Sequence, residues 1–155
     1  MQDFIHPPPG SAPVAIYEDG GGLVTEYQNR AFQYALEKRR VEIHGSCRSA
    51  CVLALSVPDV CVSPTAVVKA HQAYEKYTQK TREDVTHQML DALPTKIRVV
   101  LERNIQTHYT PGSTLTYAEL RELGVPACQH QKAKVKVGSK PQETALAQIL
   151  KFFGK

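Results

Sequence analysis

The sequence predicts an α/β domain, and three observations carry that expectation. Short apolar runs suited to buried strands alternate with segments whose apolar residues recur every three or four positions. Glycines stand where the first two runs end. The resulting order of strand, glycine turn, helix, strand, glycine turn is the βαβ pattern of a parallel sheet flanked by helices. With 155 residues, 42% hydrophobic and 22% charged, the chain fits one domain with a single core.

Residues 1–12 are rich in proline and small residues and are expected to form a flexible lead-in. Pro13-Val14-Ala15-Ile16-Tyr17 reads as a buried strand running into Asp19-Gly20-Gly21-Gly22. Consecutive glycines are costly in backbone entropy and mark positive φ or a close backbone approach. From Leu23 to Arg40 the spacing turns helical, with Tyr27, Ala31, Tyr34 and Ala35 on one face. Val41 to His44 reads as a second strand ended by Gly45, and Ser49 to Ser56 as a buried helix stopped by Pro58. A further strand, kinked at Pro64, leads through Ala66-Val67-Val68-Lys69-Ala70 to His71. Val85, Met89, Leu93, Ile97, Leu101 and Ile105 predict one long helix from Asp84 to Ile105, bent near Pro94. A short helix follows, with Thr116 and Glu119 spaced as a capping box and Gly124 as its stop. The domain is therefore expected over 13–128, followed by a basic linker and C-terminal helix over 129–155, with Ala145, Ile149, Leu150, Phe152 and Phe153 on the apolar face.

Composition narrows the function classes. The net charge of +4 comes largely from the tail after Lys132, so no basic folded face with interleaved aromatics points to nucleic acid. No apolar run reaches the roughly 18 to 20 residues of a membrane span. The four cysteines, Cys47, Cys51, Cys61 and Cys128, include no CxxC pair, so no metal site is expected, and nothing in the chain asks for a cofactor. A disulfide from Cys61 to Cys47 or Cys51 is one reading and suits an exported, periplasmic protein. Free buried thiols in a cytosolic one are the other. The N-terminus lacks the basic start and apolar stretch of a secretory signal, which leaves both a cytosolic protein and a removed leader open.

Gly45-Ser46-Cys47-Arg48-Ser49-Ala50 places Ser49 between a glycine turn and a helix start. Helix-end amides favour developing negative charge, and the Ala50 N–H can face an oxyanion. His71, at the end of a neighbouring strand, can accept the serine proton. Taken singly, Ser49 also reads as an N-cap and His71 as a half-buried strand-end residue.

Taken together, these residues resemble the Clp-type serine peptidases, whose fold is shared with the crotonases. Gly45 to Ala50 is similar to that family's Gly-x-Ala-x-Ser-Met, and Pro64 to His71-Gln72 to its proline, short strand and His-Gln. Asp19-Gly20-Gly21-Gly22-Leu23-Val24-Thr25 resembles its Pro-Gly-Gly-Ser-Val-Thr turn, and the Leu115 to Val125 segment its Leu-Ser-Ala-x-Glu-Ala-x-x-Tyr-Gly-Leu helix. The resemblance implies a ClpP/crotonase-like βαβ superhelix and a serine hydrolase acting on peptide or protein substrates. It makes Ser49 the nucleophile and His71 the base, with Ala50 and Gly21 or Gly22 as oxyanion donors. The cysteines beside Ser49 resemble a divergent, exported bacterial branch.

The chain departs from the family where the triad acid should precede Leu115: the stretch from Asn104 to Thr114 has no Asp or Glu. Asn104, Gln106 or His108 can substitute as the group that orients His71, an acid such as Glu75 or Asp84 can come from elsewhere, or the site can be degenerate. The related signal-peptide peptidases pair serine with lysine, which draws attention to Lys69. A full first strand before Val14 is also missing, so no ATPase partner is inferred and homo-oligomerisation is left open. The alternative to a hydrolase is a weak or inactive pseudoenzyme of the same fold, kept as a binding or assembly module.

Overall fold

A computed structural model of the chain describes residues 2–129, and the expected basic linker and C-terminal helix fall almost wholly outside the described residues. Five strands form one mixed sheet, with helices packed against it. Strand β1 (Val14–Asp19) leads into helix α1 (Val24–Glu37) and returns as β2 (Val41–Arg48), parallel to β1, which is the expected βαβ unit. A 3-10 helix (Ser49–Ser56) follows, then β3 (Val60–Val62) and β4 (Val67–Lys69). Helices α2 (Glu83–Asp91) and α3 (Thr95–Asn104) precede β5 (Thr114–Thr116) and α4 (Tyr117–Glu122).

β2 is the axis of the sheet. One of its edges carries β1 along its length. The other is shared, with β3 pairing parallel to Val41, Glu42 and Ile43 and β4 pairing parallel to Ser46, Cys47 and Arg48. The change of partner occurs at the kink expected around Pro64. There Ala66 N–H bonds to the Ser63 carbonyl, and the Thr65 hydroxyl donates to the His44 carbonyl. β5 closes the far edge antiparallel to β4.

Several sequence expectations need correction. Gly45 does not end its strand; β2 continues to Arg48, and a Cβ at Gly45 would collide with the carbonyl of Tyr17, where β1 shifts register between Ile16 and Glu18. The glycine is there for close approach of two strands, not for termination. The single bent helix is two helices. Pro94 offers no N–H and itself leaves the helical region at ψ 143°, so α2 stops at Asp91 and α3 restarts at Thr95. Met89, Leu93, Ile97 and Leu101 nevertheless stay buried together across the break, as their spacing requires.

The lead-in is docked rather than loose. Phe4 is fully buried, stacked on Tyr27 with ring centroids 5.7 Å apart and edge-on to Tyr34 at 5.1 Å. The Asp3 carboxylate accepts the N–H groups of Tyr17 and Glu18 on the outer edge of β1. The proline-rich composition concealed a single aromatic anchor. The capping box at Thr116 and Glu119 forms as its spacing predicts, and Gly124 takes positive φ after α4.

Two disulfides are present, Cys47–Cys51 and Cys61–Cys128. Cys61 therefore pairs with neither Cys47 nor Cys51. Residues 126–128 run along the free edge of β3, with Val62 N–H bonded to the Pro126 carbonyl and Cys128 N–H to the Val62 carbonyl, which brings Cys128 to Cys61. Both bridges suit an oxidising environment.

Candidate functional site

The site is built where β2 ends. Arg48 is extended, with φ −121° and ψ 154°, and Ser49, the first residue of the 3-10 helix, then takes the left-handed region at φ 58°. A left-handed L-residue costs about 1–2 kcal/mol, so the turn must be held by its surroundings. Gly21 lies directly against it. A Cβ there would come within 2.7 Å of Ser49 Cβ and the Arg48 carbonyl and 2.9 Å of the Ala50 nitrogen, and Gly21 itself has φ 86°. Gly21 is thus explained by close packing on the serine turn, whereas a Cβ on Gly22 would instead press on the Gln2 and Tyr27 side chains.

Ala50 lies in the first turn of its helix, where the N–H groups have no intrahelical partner. On the glycine side the two candidates differ. Gly21 N–H donates to Asp19 Oδ1 at 2.9 Å and is taken out of the donor role, so its part at the site is steric. The Gly22 N–H makes no hydrogen bond among the described residues.

Asp19 is the residue the sequence did not single out. It is fully buried, and its carboxylate accepts Phe4 N–H at 2.8 Å, Gly21 N–H at 2.9 Å and the Tyr27 hydroxyl at 2.7 Å. Burial of the Tyr27 phenol, reinforced by that carboxylate, pushes its pKa upward. The Asp19 side chain joins the N-terminal anchor, the glycine turn and α1 in one charge-assisted cluster. Its only sequence signal is that it is the second of two adjacent acids, Glu18 and Asp19, standing between an apolar strand and the glycines.

His71 follows β4 by two residues and is held by the main chain on both sides. Ala70 N–H bonds to the Ser113 carbonyl and Gln72 N–H to the Gln106 carbonyl at 2.7 Å. The loop expected to carry the orienting group therefore does run beside the histidine. Its side chains are not what the ring meets. Asn104 Nδ2 donates to the Val100 carbonyl, Asn104 Oδ1 sits where a Cβ on Gly112 would fall, and the exposed Gln106 and His108 side chains make no hydrogen bond to His71 among the described residues. Glu75 and Asp84 both face Arg82.

The group on the ring's Nδ1 is the carbonyl oxygen of Gln72, 2.7 Å away. A carbonyl can only accept, so Nδ1 carries a proton, and in the neutral ring the lone pair is on Nε2, the tautomer a general base needs. Tyr74 and Tyr109 flank the ring, with centroids at 5.3 Å and 5.0 Å. Burial raises the Tyr109 phenol, partly offset by the positive charge of Arg48. Arg48 reaches Glu18 at 3.8 Å, and its buried Nε has no partner among the described residues. Lys69 lies beside Arg48 in the parallel pairing of β4 with β2. Neither aromatic was singled out in the sequence, because only the folded loop brings Tyr109 to His71.

No hydrogen bond joins Ser49 to His71 among the described residues, and no group of three or more His, Cys, Asp or Glu residues converges there as a metal site. A shallow depression of about 290 Å³, lined by Tyr34, Lys38, Arg39 and Asp59 among others, lies at the opposite end of β2 and is remote from this chemistry. No helix among the described residues is long and apolar enough to cross a membrane. No protein-family model matches the sequence, and no curated protein matches it significantly.

Proposed function

We propose that the chain is a Clp-like serine hydrolase acting on peptide or protein substrates, with the ClpP/crotonase-like arrangement its motifs imply and a place in an exported, periplasmic setting. The observation that carries this reading is the left-handed Ser49 at a strand-to-helix junction, packed on a glycine turn and followed by a free helix-end amide. Ser49 Oγ attacks the substrate carbonyl, and His71 Nε2 takes its proton and returns it to the leaving group. Ala50 and Gly22 N–H groups stabilise the oxyanion, each such donor contributing a factor of about 10² to 10³. Water then releases the acyl group by the same route in reverse.

The missing acid bears on rate. A triad carboxylate fixes the histidine tautomer and stabilises the imidazolium, and its replacement by a group that imposes the wrong tautomer costs about 10⁴ in turnover. The Gln72 carbonyl does the first of these jobs with a dipole in place of a full charge. The hydrolase is accordingly a slow one. Labelling by a fluorophosphonate probe tests the reading: the native protein is expected to label and Ser49→Ala is not, while equal labelling of both removes Ser49 from the mechanism.

The absence of a Ser49–His71 hydrogen bond favours a second reading, a pseudoenzyme that keeps the fold as a binding or assembly module. It predicts no Ser49-dependent labelling at any probe concentration.

A further inference from the structure

The Cys47–Cys51 bridge spans the three residues Arg48, Ser49 and Ala50. Both sulfur-bearing residues are fully buried. Cys47 lies on the core face of β2, in register with Asp19 on one side and Val68 on the other, and Cys51 lies in the first turn of the 3-10 helix. Between two points fixed in the core the chain must leave a strand and enter a helix, and it does so by placing Ser49 at φ 58°.

A free L-serine disfavours that region by about five- to thirty-fold relative to its ordinary conformations. Gly21 makes room for the turn, yet room alone does not hold a residue in a disfavoured state. The disulfide is the covalent tie that brackets Ser49 on both sides. The second bridge, Cys61–Cys128, closes a separation of 67 residues at β3 and has no such relation to the serine.

We infer that the Cys47–Cys51 disulfide is a positioning clamp: it holds Ser49 in the left-handed conformation and thereby fixes where its hydroxyl sits relative to the Ala50 amide that follows it. The conformational part stands on the geometry alone, whereas its catalytic consequence rests on the serine-hydrolase reading.

The experiment compares the oxidised native chain with Cys47→Val/Cys51→Ala, a pair of replacements that keeps the buried volume close to that of the bridge, and with Cys47→Ala/Cys51→Ala. The Ser49 φ is read from backbone NMR couplings and chemical shifts, and fluorophosphonate labelling is resolved into binding and inactivation steps. Variant folding is checked by thermal melting. The clamp predicts that Ser49 moves to negative φ in the folded variants, and that the inactivation rate constant falls about five- to thirty-fold with probe binding unchanged. A folded variant that retains positive φ, or that inactivates at the native rate, overturns the clamp. If the native chain fails to label while φ changes as expected, the clamp stands and the hydrolase reading fails.

Discussion

Removing the long-range bridge by Cys61→Ala/Cys128→Ala is expected to cost far more stability than removing the short one. A cross-link stabilises chiefly by limiting the unfolded chain, with a contribution that grows with the logarithm of the loop it closes. For a separation of 67 residues the stabilisation is about 4 kcal/mol, and for a separation of 4 about 2 kcal/mol. For a domain of this size 4 kcal/mol corresponds to a fall in Tm of roughly 10–15 °C. Guanidinium denaturation of the two double variants, fitted for free energy and slope, measures the difference directly. Equal losses for the two, or a larger loss for the Cys47 and Cys51 pair, would refute the loop-entropy assignment and imply that the short bridge carries native-state packing energy.

Further outcomes bear on the site and its supports. Gly21→Ala combines a left-handed L-residue, at about 1–2 kcal/mol, with a Cβ within 2.9 Å of three atoms of the serine turn. It should lower the denaturation midpoint and slow Ser49 labelling at least tenfold. Asp19→Asn withdraws the charge from a carboxylate with three donors, and a loss of about 2–4 kcal/mol is expected by urea denaturation. Burial pushes the Tyr34 phenol up to about 12 although Arg30 and Arg39 pull it partly back, whereas an unfolded tyrosine titrates near 10. Because the folded pKa is the higher, this stability is intact below pH 10 and is lost between pH 10 and 12, on the order of 3 kcal/mol in all. Tyr34→Phe should flatten that interval, leaving a residual slope from Tyr27, when stability is followed against pH. Gln106→Ala and His108→Ala should label within twofold of the native rate, whereas His71→Ala should abolish labelling.

What the sequence made legible follows from the range of each signal. Helical spacing placed Tyr27, Ala31 and Tyr34 on the buried face of α1, and the βαβ order of the first two strands was readable because it is set by nearest elements. The helix start at Ser49 was readable too, since a turn between strand and helix is a local event. Gly45 was misread because its role depends on Tyr17, more than twenty residues away, and a glycine that permits contact looks like one that ends a strand. Pro94 was seen but its effect was underestimated, since an apolar repeat continues undisturbed through a helix break. The pairing of Cys61 was out of reach for the same reason as Gly45: its partner arrives on a segment laid along β3 only after the sheet exists. An orienting side chain was expected from the Asn104–Thr114 loop, whereas the group on the ring is the main-chain carbonyl of Gln72, beside the histidine itself.

A triad acid can be lost through one codon change, but every codon at position 72 encodes the carbonyl that His71 uses. The side chain of residue 72 is free to vary without disturbing the tautomer of the histidine, and so is that of residue 106, which contributes only its own carbonyl to the arrangement. Proline is the exception at position 72, because it lacks the N–H that ties this strand end to Gln106. A scan of all substitutions there should find one intolerant residue among many accepted ones, a pattern that no side-chain acid would produce.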